Sequence, residues 1–212
     1  MSFSSRPAPL KRVLNAGSGP YRPEKLHPAF APATWTEVRL DIDPHVRPDH
    51  VGTVSNMRPF APDASFDAIW SSHNVEHLHT YEVSGAFAEF RRVLKSDGFA
   101  LITCPDLEAI ARLIADGQMH RVVYTSPAGP ITPLDMLYGH SASIAAGNVY
   151  MAHNTGFTTE QLGRVALEAG FEEVRVGKGR FLDIWALALM RDVRAQDLAP
   201  LFRGTDQQVL LQ

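Results

Sequence analysis

Gly17-Ser18-Gly19, Asp41, the run His73-Asn74-Val75-Glu76-His77, and the pair His140 and His153 have residue types and spacings suited to chemistry. The glycines close the apolar run Val13-Leu14-Asn15-Ala16. Lacking a Cβ, glycine turns the backbone tightly off a strand and lets a ligand approach it. Asp41 ends a second strand-like run, Val38-Arg39-Leu40. An acidic residue about 20 residues beyond such glycines accepts hydrogen bonds from a ribose diol in nucleotide-binding α/β units. The loop lacks G-x-G-x-x-G, because Tyr21 and Arg22 follow Pro20, which argues against a nicotinamide dehydrogenase.

His73-x-x-Glu76-His77 matches the inverted zincin pattern, in which two histidines on one helical face hold zinc with a distant third ligand. That reading, a zinc hydrolase, competes with a local one in which Glu76 and His77 start a helix. The second is preferred, and no metal site is expected. His140 and His153 flank a segment containing Tyr138, Tyr150 and Met151. A histidine there suits a general base near neutral pH; packing within a lid is the alternative. Cys104 has no identifiable base beside it and reads as a small residue ending a strand.

These residues need a scaffold, and the chain alternates strands with helices. Strands are expected at Lys11–Asn15, Trp35–Leu40, Val51–Val54, Phe66–Trp70, Phe99–Thr103, around Val174 and Val176, and at Phe181–Met190. Val83, Phe87, Phe90 and Leu94 fall at helical spacing. Asp106 caps a second helix carrying Leu107, Ile110 and Ile114, and Thr158 with Gln161 forms a capping box for a third. Pro20, Pro23, Pro28 and Pro32 interrupt the stretch after the first strand. Proline costs a helix interior about 3 kcal/mol, so the first helix is shortened or missing. The pattern is an α/β domain with a mainly parallel sheet, in which Gly17, Asp41, His73 and Asp106 converge on one crevice at the strand ends.

Within 212 residues, a hydrophobic content of 45% and a charged content of 20% are those of a soluble globular protein. A net charge of −3 argues against holding nucleic acid by bulk electrostatics, and no apolar run suits a membrane span. A single cysteine excludes an intrachain disulfide and points to a reducing, cytoplasmic setting.

The pieces LNAGSGP, LDIDP, RPFAPDASFDAIWSSHNVEHL, FRRVLKSDGFALITCPD and GFTTEQLGRVALEAGF, in this order, resemble the class I S-adenosylmethionine-dependent methyltransferases of the type 11 group. The proline-broken segment is similar to a smaller branch with a reduced first helix. The resemblance implies a Rossmann-like, seven-stranded, mainly parallel sheet with an antiparallel last strand, flanked by helices. It implies S-adenosylmethionine as cofactor. Gly17, Ser18 and Gly19 would then face its methionine portion, with Asn15 beside them where the family usually has an acid. Asp41, or alternatively Asp43, would hold the ribose. Thr53 and Val54 stand at the adenine position, with Thr53 replacing the usual acid. Ser72 and His73 would flank the reacting methyl.

The expected activity is methyl transfer to a small-molecule or carbohydrate-like acceptor, mainly by alignment, with His73, His140 or His153 as a general base. A non-catalytic S-adenosylmethionine-binding protein is the alternative. Residues 1–10 are expected as a flexible N-terminus, 11–190 as the methyltransferase domain and 191–212 as a C-terminal tail that frays. Residues 118–155, where periodicity fades, are expected as a lid or acceptor insertion. No nucleic-acid or membrane partner is expected, and the oligomeric state is left open.

Overall fold

A computed structural model describes residues 9–212; most of the expected flexible N-terminus, residues 1–8, lies outside the described residues. Seven strands form one sheet: β1 (Lys11–Ala16), β2 (Trp35–Asp41), β3 (His50–Val51), β4 (Phe66–Ser72), β5 (Leu94–Pro105), β8 (Glu173–Lys178) and β9 (Asp183–Leu189). Two more, β6 (Tyr124–Ser126) and β7 (Gly129–Ile131), make a separate hairpin. The sheet order is β3-β2-β1-β4-β5-β9-β8. Pairing is parallel from β3 to β5, and β9 runs antiparallel to both β5 and β8. This is the Rossmann-like α/β architecture expected, with the last strand in sequence reversed. The strand order turns back between β1 and β4, the place where open α/β sheets form their ligand crevice.

The central strands read as continuous apolar runs because both faces are covered. On one face Leu14, Ile69, Ala100 and Ile102 pack against Val83, Phe87 and Phe90 of α1 (Thr80–Val93) and Leu162 and Ala166 of α5 (Thr159–Glu168). On the other, Val13, Ala68, Trp70, Phe99 and Leu101 pack against Ala29 and Phe30. The four prolines allow only two short 3₁₀ turns between β1 and β2, Pro23–Lys25 and Pro28–Phe30, so the expected loss of the first helix holds.

The segment after Met190 does not fray as expected. It folds back through a 3₁₀ turn (Ala195–Leu198), α6 (Ala199–Phe202) and a further 3₁₀ segment (Asp206–Leu211). Ala195, Leu198, Phe202 and Leu210 are buried on the face that a first helix would have helped to cover. A sheet face with no helix must still exclude water, and these side chains do so.

Residues 118–155 hold more structure than their fading periodicity suggests. The β6–β7 hairpin is followed by α3 (Pro133–Tyr138), α4 (Ser141–Ala145) and a 3₁₀ turn (Val149–Met151). Ile131 and Met136 pack on Ile110 of α2 (Leu107–Ala115) in a small core of their own. Among the described residues no helix is long and apolar enough to cross a membrane.

Candidate functional site

At the carboxyl ends of β1, β2 and β4 the structure has a cleft of about 760 Å³, within the range of small-ligand sites. Asn15, Gly17, Ser18, Gly19, Asp41, Asp43, Thr53, Val54, Ser72 and His73 all line it. Every position anticipated for cofactor contact therefore meets in one place.

The glycine loop takes its shape from two constraints. Gly17 has φ +71°, and a Cβ there would collide with the Asn74 side chain. Gly19 has φ +60°, and its N–H donates to Asp41 Oδ2 at 2.7 Å. The other oxygen of Asp41, Oδ1, accepts from Asp43 N–H at 2.9 Å. The carboxylate is thus fixed at the cleft wall while its remaining lone pairs stay available. Asp43 turns instead to His45, accepting from both its backbone N–H and its ring, which lowers the Asp43 pKa.

Arg39, one residue before Leu40, escaped sequence reasoning. Its buried guanidinium donates to the carbonyls of Gly19, Arg47 (2.9 Å) and Val46 (3.2 Å), tying the glycine loop to the turn after β2. Lys25, another unanticipated residue, brings a positive charge into the cleft. Asn15 Nδ2 donates to Glu37 Oε1 at 2.6 Å; Asn15 lines the cleft, while Glu37 stands on the neighbouring strand outside its lining. Thr53 is bonded to Ser55 (Oγ1 to Oγ, 2.9 Å), and Val54 is buried beside it.

His73 follows β4 with φ +47°, unusual for a residue with a side chain, and its N–H donates to Thr103 O at 2.9 Å. Its ring stands half exposed, with Nδ1 3.4 Å from Glu76 Oε1. Burial disfavours charge on His73, but the neighbouring Glu76 outweighs it and raises the pKa above its ordinary value. For Glu76 the same burial pushes upward, and His73 with the nearby histidines brings the net shift below the usual carboxylate value. Glu76 lies in a 3₁₀ turn (Val75–His77), not at the start of a helix as expected.

The other side of the cleft comes from the insertion: Asn148, Val149, Tyr150, Met151 and Asn154 line it together with His77, His79 and Glu82. Asn154 is pinned to the 3₁₀ turn, its N–H donating to Glu76 O (2.9 Å) and its Nδ2 to His77 O (2.8 Å). His140 and His153 are not among the residues lining the cleft, although the His153 ring packs against that of His77, which does line it. His140 Nδ1 is 2.7 Å from Ser143 Oγ, and His153 Nδ1 is 2.9 Å from Met136 O. Cys104 is fully buried, and that burial raises its thiol pKa well above the ordinary value, in keeping with a strand residue.

Residues 25–102 match the family model of a methyltransferase domain, Methyltransf_11. No curated protein matches significantly. Solved structures share the fold at low identity. One is an S-adenosylmethionine-dependent methyltransferase of Archaeoglobus fulgidus (15% identity, TM-score 0.57, covering 85% of this chain and 86% of that one). Another, from Thermotoga maritima, is described as a possible histamine N-methyltransferase (17% identity, TM-score 0.54, 86% and 84%). A third, 1,6-didemethyltoxoflavin-N1-methyltransferase of Burkholderia thailandensis, was solved with 1,6-didemethyltoxoflavin and S-adenosylhomocysteine bound (14% identity, TM-score 0.51, 86% and 72%).

Proposed function

We propose that this chain, a class I S-adenosylmethionine-dependent methyltransferase by its fold and by the domain it matches, methylates a small-molecule or carbohydrate-like acceptor held between the 3₁₀ turn Val75–His77 and the insertion. The observation that carries the reading is that the glycine loop, Asp41, His73 and Asn148–Asn154 border one continuous cleft. Its residues suit the cofactor. Asn74 Nδ2 is a buried donor with no partner among the described residues, in a side chain that lines the cleft against Gly17. Asp41 would present a carboxylate to a ribose diol, Gly17, Ser18 and Gly19 would border the methionine portion, and Thr53 and Val54 would border the adenine. Lys25 would complement a carboxylate on the amino-acid end. Bound S-adenosylmethionine supplies a methyl group already activated on a sulfonium, so the chain chiefly aligns the acceptor and excludes water.

Of the three histidines considered as a base, only His73 lines the cleft, and it is the one oriented by a buried carboxylate. A neutral His73 would take a proton from an acceptor hydroxyl as its oxygen is methylated. Residues 118–155 serve as the acceptor wall, through the Val149–Met151 turn and its neighbours Asn148 and Asn154, which line the cleft. Neither a nucleic-acid nor a membrane partner enters this reading.

Calorimetric titration with S-adenosylhomocysteine, followed by transfer assays with methyl-labelled cofactor and a panel of hydroxyl- and amine-bearing acceptors, tests the proposal. Binding without transfer to any acceptor favours a non-catalytic cofactor-binding protein. Absence of binding at millimolar ligand overturns the cofactor site.

A further inference from the structure

Behind the acceptor wall, Glu76, His77 and His153 come together although 76 residues of sequence separate the last two. One ligand atom of each lies within 4.8 Å of the others. Glu76 has a side chain only 2% exposed, and neither of its oxygens has a hydrogen-bond partner among the described residues. A buried carboxylate without donors is costly unless something else balances it. The contact with His73 at 3.4 Å engages Oε1 alone as an ion pair and leaves Oε2 unengaged.

Both imidazoles are held in the manner of metal ligands. His77 Nδ1 is 3.0 Å from Ala152 O, and His153 Nδ1 is 2.9 Å from Met136 O. A carbonyl can only accept, so each Nδ1 carries a proton, and in the neutral tautomer this selects, the electron pair lies on Nε2. A backbone carbonyl on the far nitrogen fixes tautomer and orientation in many metal-binding histidines. The two rings meet edge to face with centroids 4.8 Å apart.

We infer that Glu76, His77 and His153 bind a divalent first-row transition-metal ion at the acceptor side of the cleft. Two imidazoles and one carboxylate form a donor set for zinc and its neighbours, unlike the all-oxygen sets of magnesium and calcium. Three protein ligands leave coordination positions open. His77 also lines the cleft, so those positions are within reach of an acceptor bearing oxygen donors, such as a hydroxyl or carboxylate. The site differs from the inverted zincin pattern: His73 is not one of the three, and His153 supplies the second imidazole. Ion binding stands independently of methyl transfer, whereas the ion's use toward an acceptor rests on that proposed function.

The test is titration of the chelator-treated protein with cobalt(II), read by visible d–d absorption, with S-adenosylhomocysteine affinity measured on the same samples. Saturation at one equivalent is expected. Glu76→Gln and His153→Ala should each weaken it by at least about 10-fold, and His120→Ala, an exposed histidine far outside the cluster in sequence, should not. Glu76 is buried, so His153→Ala, at a partly exposed position, guards against a variant that does not fold. Absence of a one-to-one complex in the wild type, or equal binding by folded Glu76→Gln and His153→Ala variants, overturns the inference. Retained S-adenosylhomocysteine binding in either case would leave the methyltransferase reading standing.

Discussion

The Arg39 guanidinium donates to the carbonyl oxygen of Gly19, so a side chain on β2 fixes the loop after β1. The same group reaches Val46 and Arg47, making one cation the brace for two loops that border the cleft. Hydrogen bonds from a charged donor contribute about 1.5–3 kcal/mol each. Arg39→Ala should therefore destabilise the fold by about 2–4 kcal/mol in urea denaturation and weaken S-adenosylhomocysteine binding. Arg39→Lys should rescue little, because a single ammonium lacks the planar fork that reaches several carbonyls.

Saturating S-adenosylhomocysteine should stabilise the protein. At 100 times its dissociation constant the gain is about 2.7 kcal/mol, which for a chain of this size raises the melting temperature by roughly 5–10 °C. Asp41→Ala should remove most of that shift, since it deletes the proposed ribose acceptor and the anchor of Gly19 N–H together. Asp43→Ala should remove little, because Asp43 is occupied with His45. Differential scanning fluorimetry with and without ligand separates the two; the reverse ranking would move the ribose contact to Asp43.

Tyr150 lines the cleft from the insertion and is 46% exposed. Tyr150→Ala should leave S-adenosylhomocysteine affinity within about 3-fold, a cost below about 1 kcal/mol, while raising KM for the acceptor. Comparable losses of cofactor and acceptor affinity would show that the Val149–Met151 turn contacts the cofactor.

His27 gives the fold a pH dependence that does not involve the site. Burial among Phe30, Trp70, Trp185 and Phe202 lowers its pKa, with the Gln207 contact at 2.9 Å opposing the shift in part. A histidine with a depressed folded pKa contributes stability that is fully present above its unfolded value of about 6.5 and is lost as pH falls through the folded value. Stability should decline from about pH 6.5 downward, and His27→Gln should flatten part of that decline. His153, whose pKa burial also lowers, keeps its own share of it. Chemical denaturation at several pH values measures both slopes.

Much of the scaffold could be read from local pattern. The apolar runs of β1, β2, β4 and β5 and the stripe Val83, Phe87, Phe90 lie where expected, and the prolines correctly forecast the missing helix. The cleft could be read because each contributing residue ends a strand. Elements whose burial depends on distant partners were harder to see. The segment after Met190 has only scattered apolar residues, and Phe202 gains its environment from Phe99 and His27. The α3 start did carry a signal, Thr132-Pro133 with Asp135: Thr132 and Asp135 form a reciprocal capping box, and the several donors to Asp135 hold its pKa near about 2 against the effect of burial. The meeting of Glu76 with His153 had none, because it depends on how the insertion packs against the 3₁₀ turn.

The replacement of a first helix by the segment after Met190 changes the order in which a newly made chain can become watertight. The segment carrying Gln207, which meets His27 from 180 residues away, must fold back before Trp70, Phe99 and Leu101 are fully covered on that side. During synthesis the strands from β1 to β5 are complete long before the late part of their cover, Ala195 to Leu210, exists, and part of an apolar sheet face waits open to other chains. A holdase that shields exposed apolar surface should therefore matter most to this protein in the interval between translation of Leu101 and of Phe202. Variants that loosen the late segment, such as Phe202→Ala, should be lost to aggregation in cells at a rate that outruns their measured loss of equilibrium stability.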